Sequence, residues 1–158
     1  MSIVNSCARV GIIGLVLSAI GFGSLKVYEG YSETAYLDSA GVPTIGYGAT
    51  SGVQTGDTIT REEAEALLLR DAGVAGDAIL RCVTVPLAQH EYDAYVSFAY
   101  NVGGGAFCKS TLVRKLNAGD YTGACNELQR WVYVGGQRLR GLELRRESER
   151  QMCLGETQ

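Results

Sequence analysis

Between Val10 and Leu25 the chain runs through sixteen residues without a charge, VGIIGLVLSAIGFGSL, flanked by Arg9 and Lys26. As a helix such a run reaches about 24 Å, short of a hydrocarbon core of about 30 Å. It is also diluted by Gly11, Gly14, Ser18, Ala19, Gly21, Gly23 and Ser24. The stretch is long enough to be recognised for export and too weak to hold firmly in a bilayer. Three readings compete. One is a cleaved signal peptide, with Gly21-Phe22-Gly23 as a small-x-small cleavage site. A second is a permanent anchor, which the length disfavours. The third is an anchor that later leaves the membrane. Arg9 upstream and the acidic residues downstream favour an N-terminus kept in the cytoplasm. A buried helix of a soluble core is the reading that the chain start and the flanking charges disfavour most.

The 158 residues suffice for one domain with a real core, or two small lobes sharing one. Hydrophobic content of 46% against 20% charged argues against disorder. The net charge of −3 is unevenly split: residues 1–108 carry five Lys/Arg against eleven Asp/Glu, residues 109–158 nine against six. A basic C-terminal part would suit a polyanion, either nucleic acid or an anionic wall polymer. The simpler reading is a solvated helical face laced with ion pairs, since Arg145 and Arg146 stand at helical pairing distances from Glu149 in ELRRESER.

Cys7, Cys82, Cys108, Cys125 and Cys153 include no C-x-x-C, and His90 is the only histidine, so a zinc site is not expected. Four of the five lie in the body of the chain, which suits two disulfides in an oxidising compartment. Spacing leaves their connectivity open, with Cys7 the natural odd one out.

Turn signals at Asp38-Ser39-Ala40-Gly41, Val42-Pro43, Gly46 and Gly48 separate short β-prone pieces and predict a small twisted antiparallel sheet over 34–48. TREE at 60–63 is a capping box that opens a helix. Pro86 suits the first turn of the next helix, which ends at Gly103-Gly104-Gly105. Further helices are expected near 110–118, 120–131 and 139–153. The fold class is α+β, mainly α: a small β-containing N-terminal lobe and a larger helical lobe.

A glycosidase needs two carboxyl groups in different surroundings, one protonated and one ionised. Glu29, at the end of an expected helix beside Val27 and Tyr28, suits the acid. Asp38, in a polar turn-rich stretch, suits the base, and Thr44 offers a hydroxyl to orient a water. Two acids nine residues apart are common in any protein. The intervals of nine and then six residues, within YEG, Asp38 and PTIGYG, are more specific: they resemble the Glu–Asp–Thr site of the phage-type lysozymes, the endolysin family that includes the T4 enzyme. The likeness continues through DAYVSFAYNVGGGAF (93–107), STLVRKLNAGDY (110–121), ELQRW (127–131) and GLELRRESE (141–149), covering roughly residues 24–154.

The resemblance implies a lysozyme-like fold and inverting hydrolysis of the β-1,4 bond between N-acetylmuramic acid and N-acetylglucosamine in peptidoglycan, without a cofactor. Glu29 would protonate the glycosidic oxygen, while Asp38 and Thr44 would hold the attacking water. On that mechanism the two carboxyl groups lie about 6.5–9.5 Å apart. Tyr100 and Asn101, the YN of FAYNVG, would line the cleft, and helix packing is their alternative role. Tyr47 and Trp131 are weaker candidates for sugar contact, because buried aromatics usually belong to a core. The family also places an arginine beside the acid, and Arg138, Arg140, Arg145 and Arg146 all remain candidates. Many relatives follow GYG with His-Thr, where this chain has Ala49-Thr50, a change that bears on substrate contacts or pH response.

The apolar N-terminus resembles the signal-anchor-release segment of one subgroup. It divides the chain into a segment 1–25 and a catalytic domain 26–158. Such enzymes are exported by the host secretion machinery and wait inactive on the periplasmic side of the inner membrane until the membrane potential collapses. Cleavage after Gly23 would leave five residues before Glu29, too few for the usual first helix. Some relatives are held inactive by a disulfide to a catalytic cysteine, but no cysteine lies between Glu29 and Thr44. Cys82–Cys108 and Cys125–Cys153 are then expected as structural pairs, with Cys7 able to exchange with one of them before release. No nucleic-acid partner and a monomer are expected.

GGGAFCKS (103–110) approaches a phosphate loop, but Cys108 replaces the second glycine and a helix precedes it. No G-x-S-x-G is present. His90, between Gln89 and Glu91, reads as a surface or satisfied histidine. Two rival functions remain: a lytic transglycosylase on a related fold, and a membrane-tethered wall-binding module without activity.

Overall fold

The computed structural model describes residues 8–156, so Cys7 lies outside the described residues. The first helix, α1 (Ala19–Glu29), begins inside the apolar run rather than after it. The Ser18 side chain caps it by accepting from the Gly21 N–H at 3.2 Å. Residues ahead of Ser18 do not extend the helix but cross the body. Val10 and Leu87 exchange backbone hydrogen bonds of 2.9 and 3.0 Å, and the Gln89 amide donates to the Val16 carbonyl at 2.8 Å. The apolar run is therefore not one helix: its backbone is divided between a bridge to Leu87 and a capped helix. No helix among the described residues is long and apolar enough to cross a membrane.

Gly30 (φ 68°) ends α1 directly after Glu29, in a conformation that strains other residues. The expected small sheet follows as β1 (Ser32–Leu37) antiparallel to β2 (Pro43–Gly46), with Tyr36 opposite Thr44 and Leu37 opposite Pro43. The Thr60 box opens α2 (Arg61–Cys82): the Thr60 hydroxyl accepts from the Glu63 N–H, and the Glu63 carboxylate accepts from the Thr60 N–H. These donors hold the exposed Glu63 carboxyl below its ordinary range. The cap's contribution is thus complete above that range and is lost as pH falls through the lowered value. Thr60→Ala is expected to cost about 1 kcal/mol and to lower the thermal midpoint by a few degrees at neutral pH.

The central helix is α3 (Gln89–Val102), whose residues 91–99 are buried on every side. It packs against α1, α2, α4 (Gly104–Lys109) and α7 (Arg140–Cys153). Between them come α5 (Thr111–Asn117), α6 (Tyr121–Glu127) and a hairpin of β3 (Tyr133–Val134) with β4 (Gln137–Arg138). Phe98, Phe107 and Trp131 meet edge-to-face in the core, which also contains Leu25 of α1.

Four sequence expectations are corrected. Pro86 lies three residues before α3, because the Leu87 backbone is taken up by Val10; the helix starts where the Glu91 carboxylate accepts the Ala88 N–H at 2.8 Å. The three glycines end α3 but also begin α4, since a side chain at Gly104 would collide with Ala78 and its absence lets α4 lie against α2. The helix expected over 120–131 ends at Glu127 in a single 3-10 turn, and VGGQ forms a hairpin with Gly135 and Gly136 both at positive φ. In ELRRESER the expected ion pairs of Arg145 and Arg146 with Glu149 form, but not on a solvated face: Arg146 and Glu149 are fully buried and Arg145 nearly so.

Two disulfides link Cys82 to Cys108 and Cys125 to Cys153, with Cα separations of 5.5 and 5.7 Å. They staple α2 to α4 and α6 to the end of α7. Each closes a loop of nearly thirty residues, worth roughly 3 kcal/mol on the chain-entropy account. His90 donates from Nδ1 to the Cys153 carbonyl at 3.1 Å, which fixes its tautomer.

Candidate active site

Glu29 is the last residue of α1, so its side chain projects where the helix stops. The Arg145 Nη1 of α7 donates to Glu29 Oε1 at 2.9 Å. Of the four candidate arginines, Arg145 is therefore the one beside the acid. Arg138 and Arg140 pair instead with Glu143, and Arg146 donates to Asn101 Oδ1 at 2.6 Å. Glu29 retains 20% of its side-chain exposure and Arg145 only 8%, so the pair has one wet end.

Arg145 is itself gripped from behind. Its Nε donates to Glu149 Oε1 at 3.0 Å, its Nη2 to the Ser97 carbonyl at 3.2 Å, and its guanidinium lies over the Tyr28 ring at 4.7 Å. Tyr28 immediately precedes the acid, and its hydroxyl is pushed up chiefly by burial. A cavity of about 340 Å³ lined by Tyr28, Leu139, Gly141, Leu142 and Arg145 adjoins this cluster.

The β1–β2 hairpin supplies the other two residues. Asp38 is half-buried at its tip; Oδ1 accepts from the Ala40 and Val42 N–H groups, each at 2.8 Å. That turn fixes the carboxylate and leaves Oδ2 for another donor. Thr44 is buried and donates its hydroxyl proton to the Val42 carbonyl at 3.0 Å. Its oxygen lone pairs remain available to accept. After β2, Ile45 and Ala49 exchange backbone hydrogen bonds around a turn with Gly46 and Gly48 at positive φ. This turn reaches Glu29: a Cβ built on Gly48 would stand 3.9 Å from Glu29 Oε2.

Tyr100 of α3 is half-buried, and its hydroxyl is pushed up to about 12, first by burial and then by the charge of Glu29. Asn101, next to it, is exposed yet tied to Arg146. Tyr47 and Trp131 sit differently. Tyr47 is buried, receives an Arg61 donor at 3.3 Å and lies against Tyr31, while Trp131 packs on Phe98. The structure thus gathers Glu29 and Tyr100 near Arg145, sets Asp38 and Thr44 on the adjoining hairpin, and leaves Tyr47 and Trp131 in packing positions. Ser97 and Glu149 behind Arg145 went unmarked as site residues in the sequence, although the i,i+4 spacing of Arg145 and Glu149 carried a signal for the ion pair. Among the described residues no group of three His, Cys, Asp or Glu could hold a metal ion.

Comparison with known proteins bears on this arrangement. The phage lysozyme family model matches residues 26–149. A SAR-endolysin of Enterobacteria phage PA-2 is 39% identical over 153 residues, spanning 88% of this chain and 93% of that one. An endolysin from Escherichia coli O157:H7 phage FAHEc1 superposes with a TM-score of 0.84 at 38% identity, covering 91% of this chain and 96% of that one. The active form of P1 phage endolysin Lyz superposes with a TM-score of 0.79 at 25% identity, covering 94% and 96%.

Proposed function

The chain belongs to the phage lysozyme family, and from that premise we propose that it is an endolysin cutting the β-1,4 bond between N-acetylmuramic acid and N-acetylglucosamine in peptidoglycan, with inversion. The observation that carries the reading is the division of labour on Glu29. Arg145 holds Oε1, while Oε2 faces the Gly48 turn without a protein hydrogen bond among the described residues. Oε2 is then the atom that hands a proton to the glycosidic oxygen. Asp38 Oδ2 and the Thr44 lone pairs hold the water that attacks the opposite face of the sugar, the base position of an inverting pair. Tyr100 and Asn101 serve as sugar contacts along the same cleft.

The residues before Glu29 belong to the same proposal. Exported by the host secretion machinery, the chain waits at the periplasmic side of the inner membrane with residues 1–25 as its anchor, and acts in the periplasm as a monomer once they leave the bilayer. The docked course of residues 9–18, and the likeness to an active endolysin form, support reading the described conformation as the released, competent one. Extraction then lets α1 form and seat Glu29.

Product analysis on purified peptidoglycan tests the chemistry. Reducing muramic acid ends appearing first as the α anomer are expected. A 1,6-anhydro end would establish a transglycosylase instead, and the β anomer would rule out inversion. N-terminal sequencing of the periplasmic protein tests the anchor, because a chain starting near Ser24 would mean cleavage rather than release.

A further inference from the structure

Behind the Glu29–Arg145 pair lies a buried group that the proposed chemistry leaves without a role. Glu149 on α7 is fully buried; two hydrogen-bond donors and one further arginine charge converge on it. Ser97 Oγ donates at 2.7 Å and Arg145 Nε at 3.0 Å to Oε1, while Arg146 Nε stands 3.1 Å from Oε2. A carboxyl group in this position is costly unless its charge is needed by its neighbours. Burial pushes its carboxyl up, against the two arginines and Ser97, which favour the charged form.

Arg145 ties Glu149 to the acid. One guanidinium spans both carboxyl groups, Nε to Glu149 and Nη1 to Glu29. The same guanidinium is pinned by the Ser97 carbonyl and the Tyr28 face, so it has little freedom to leave either partner. A general acid beside an unopposed arginine would surrender its proton too readily, because a nearby positive charge favours the carboxylate. The groups that bear on Glu29 come from more than one element: Arg145 of α7 pairs with it, Glu149 stands behind that arginine, and the Tyr100 hydroxyl of α3, which also feels Asp71 of α2, feels the Glu29 charge. Lys26 on α1's own surface is already paired with Glu65 of α2 at 3.0 Å.

We propose that Glu149, with Ser97, is a positioning residue for the reaction: it locks Arg145 onto Glu29 and offsets the arginine charge so that Glu29 can carry the transferable proton. Glu149 itself never meets the sugar. The proposal rests on Glu29 being the proton donor, as argued above.

The test is the pH profile of clearing of permeabilised Gram-negative cells, by wild type and three variants. Glu149→Gln removes the buried negative charge while keeping the shape. Its alkaline limb, where the acid loses its proton, is expected to move to lower pH by on the order of one unit. The double variant Glu149→Gln with Arg146→Met removes one buried charge of each sign, which restores the charge balance and gives a chain able to fold if the single variant does not. Its alkaline limb is expected to return toward that of wild type. A merely structural Glu149 would lower activity evenly across pH, and a limb unmoved in Glu149→Gln would overturn the proposal. So would a limb displaced equally in the double variant. Glu29→Gln is the third variant and keeps two failures apart. If it clears like wild type, the assignment of the acid has failed; if it is inactive and the limb of Glu149→Gln stays put, only the role of Glu149 has.

Discussion

Glu29→Gln is expected to lower cell clearing by about 10²–10⁴-fold while leaving the fold intact. Glutamine has the same shape, and its carbonyl can still accept from Arg145 Nη1, now 2.9 Å from Glu29 Oε1. It has no proton to give to a leaving oxygen. The usual danger of such a change is a stranded buried cation. Here Arg145 retains Glu149 and the Ser97 carbonyl, so its charge stays compensated. The thermal midpoint should therefore shift by only a degree or two, and loss of activity without loss of stability is the expected signature. Equal clearing by the two proteins, or no clearing by either, would remove the hydrolase reading and leave the wall-binding module. Asp38→Asn sharpens the contrast, since a hydrolase needs the carboxylate to activate water and a transglycosylase does not.

The second large effect is expected at a position that touches no substrate. Gly21 lies on the face of α1 that meets α3. A Cβ there would sit 2.7 Å from a Leu17 methyl and 2.8–2.9 Å from Asp93 side-chain carbons. The Leu17 end can swing aside, but Asp93 cannot. It accepts from the Ser18 N–H at 3.0 Å, from the Ser18 hydroxyl and from the Gln89 amide at 2.9 Å, so moving it loosens the cap of α1. Two residues earlier on α3, the buried Glu91 holds Arg9 through contacts of 2.8–3.1 Å. Overpacking of this kind costs about 1–3 kcal/mol. Gly21→Val is thus expected to undock residues 9–18, expose the α1 amides to hydrogen exchange and reduce clearing by tenfold or more, with Glu29, Asp38 and Thr44 untouched. Gly23→Ala is the control. Nothing lies within 4 Å of its built Cβ, and alanine in a helix is favoured by up to about 1 kcal/mol, so activity should hold. A Gly21→Val protein that clears like wild type, with α1 still protected, would end the idea that a docked leader seats the acid.

How much of this could be read from the residues varies with the range of the interaction. The Thr60–Glu63 cap and the β1–β2 hairpin are decided within a few residues, by a side chain reaching its own backbone and by turn chemistry. Local chemistry places Glu29, Asp38 and Thr44 at a helix end, a hairpin tip and a second strand within sixteen residues, but only their resemblance to a family pattern singled them out as a proposed site. The α4 helix was not legible. Its glycines signal a break, and only Phe107 packing and the Cys82–Cys108 link compensate for them. The β3–β4 hairpin carried a Gly-Gly turn signal, but its strands of two residues are too short to show an alternating pattern.

The amino-acid order alone determined where helices can start, where the chain must turn, which three polar groups share the N-terminal lobe, and that an uncharged run precedes them. Only the packed structure decided that Arg145, 116 residues from Glu29, is the arginine that grips it, and that Arg146 and Glu149 face inward. It alone decided that Arg9 and Ser18 find buried carboxylates 82 and 75 residues away. The reason is physical. Turns and caps are satisfied by near neighbours, so any window of sequence reveals them. A buried charge is satisfied by whichever partner the fold delivers, and several arginines of one helix are equal candidates until the core closes around them.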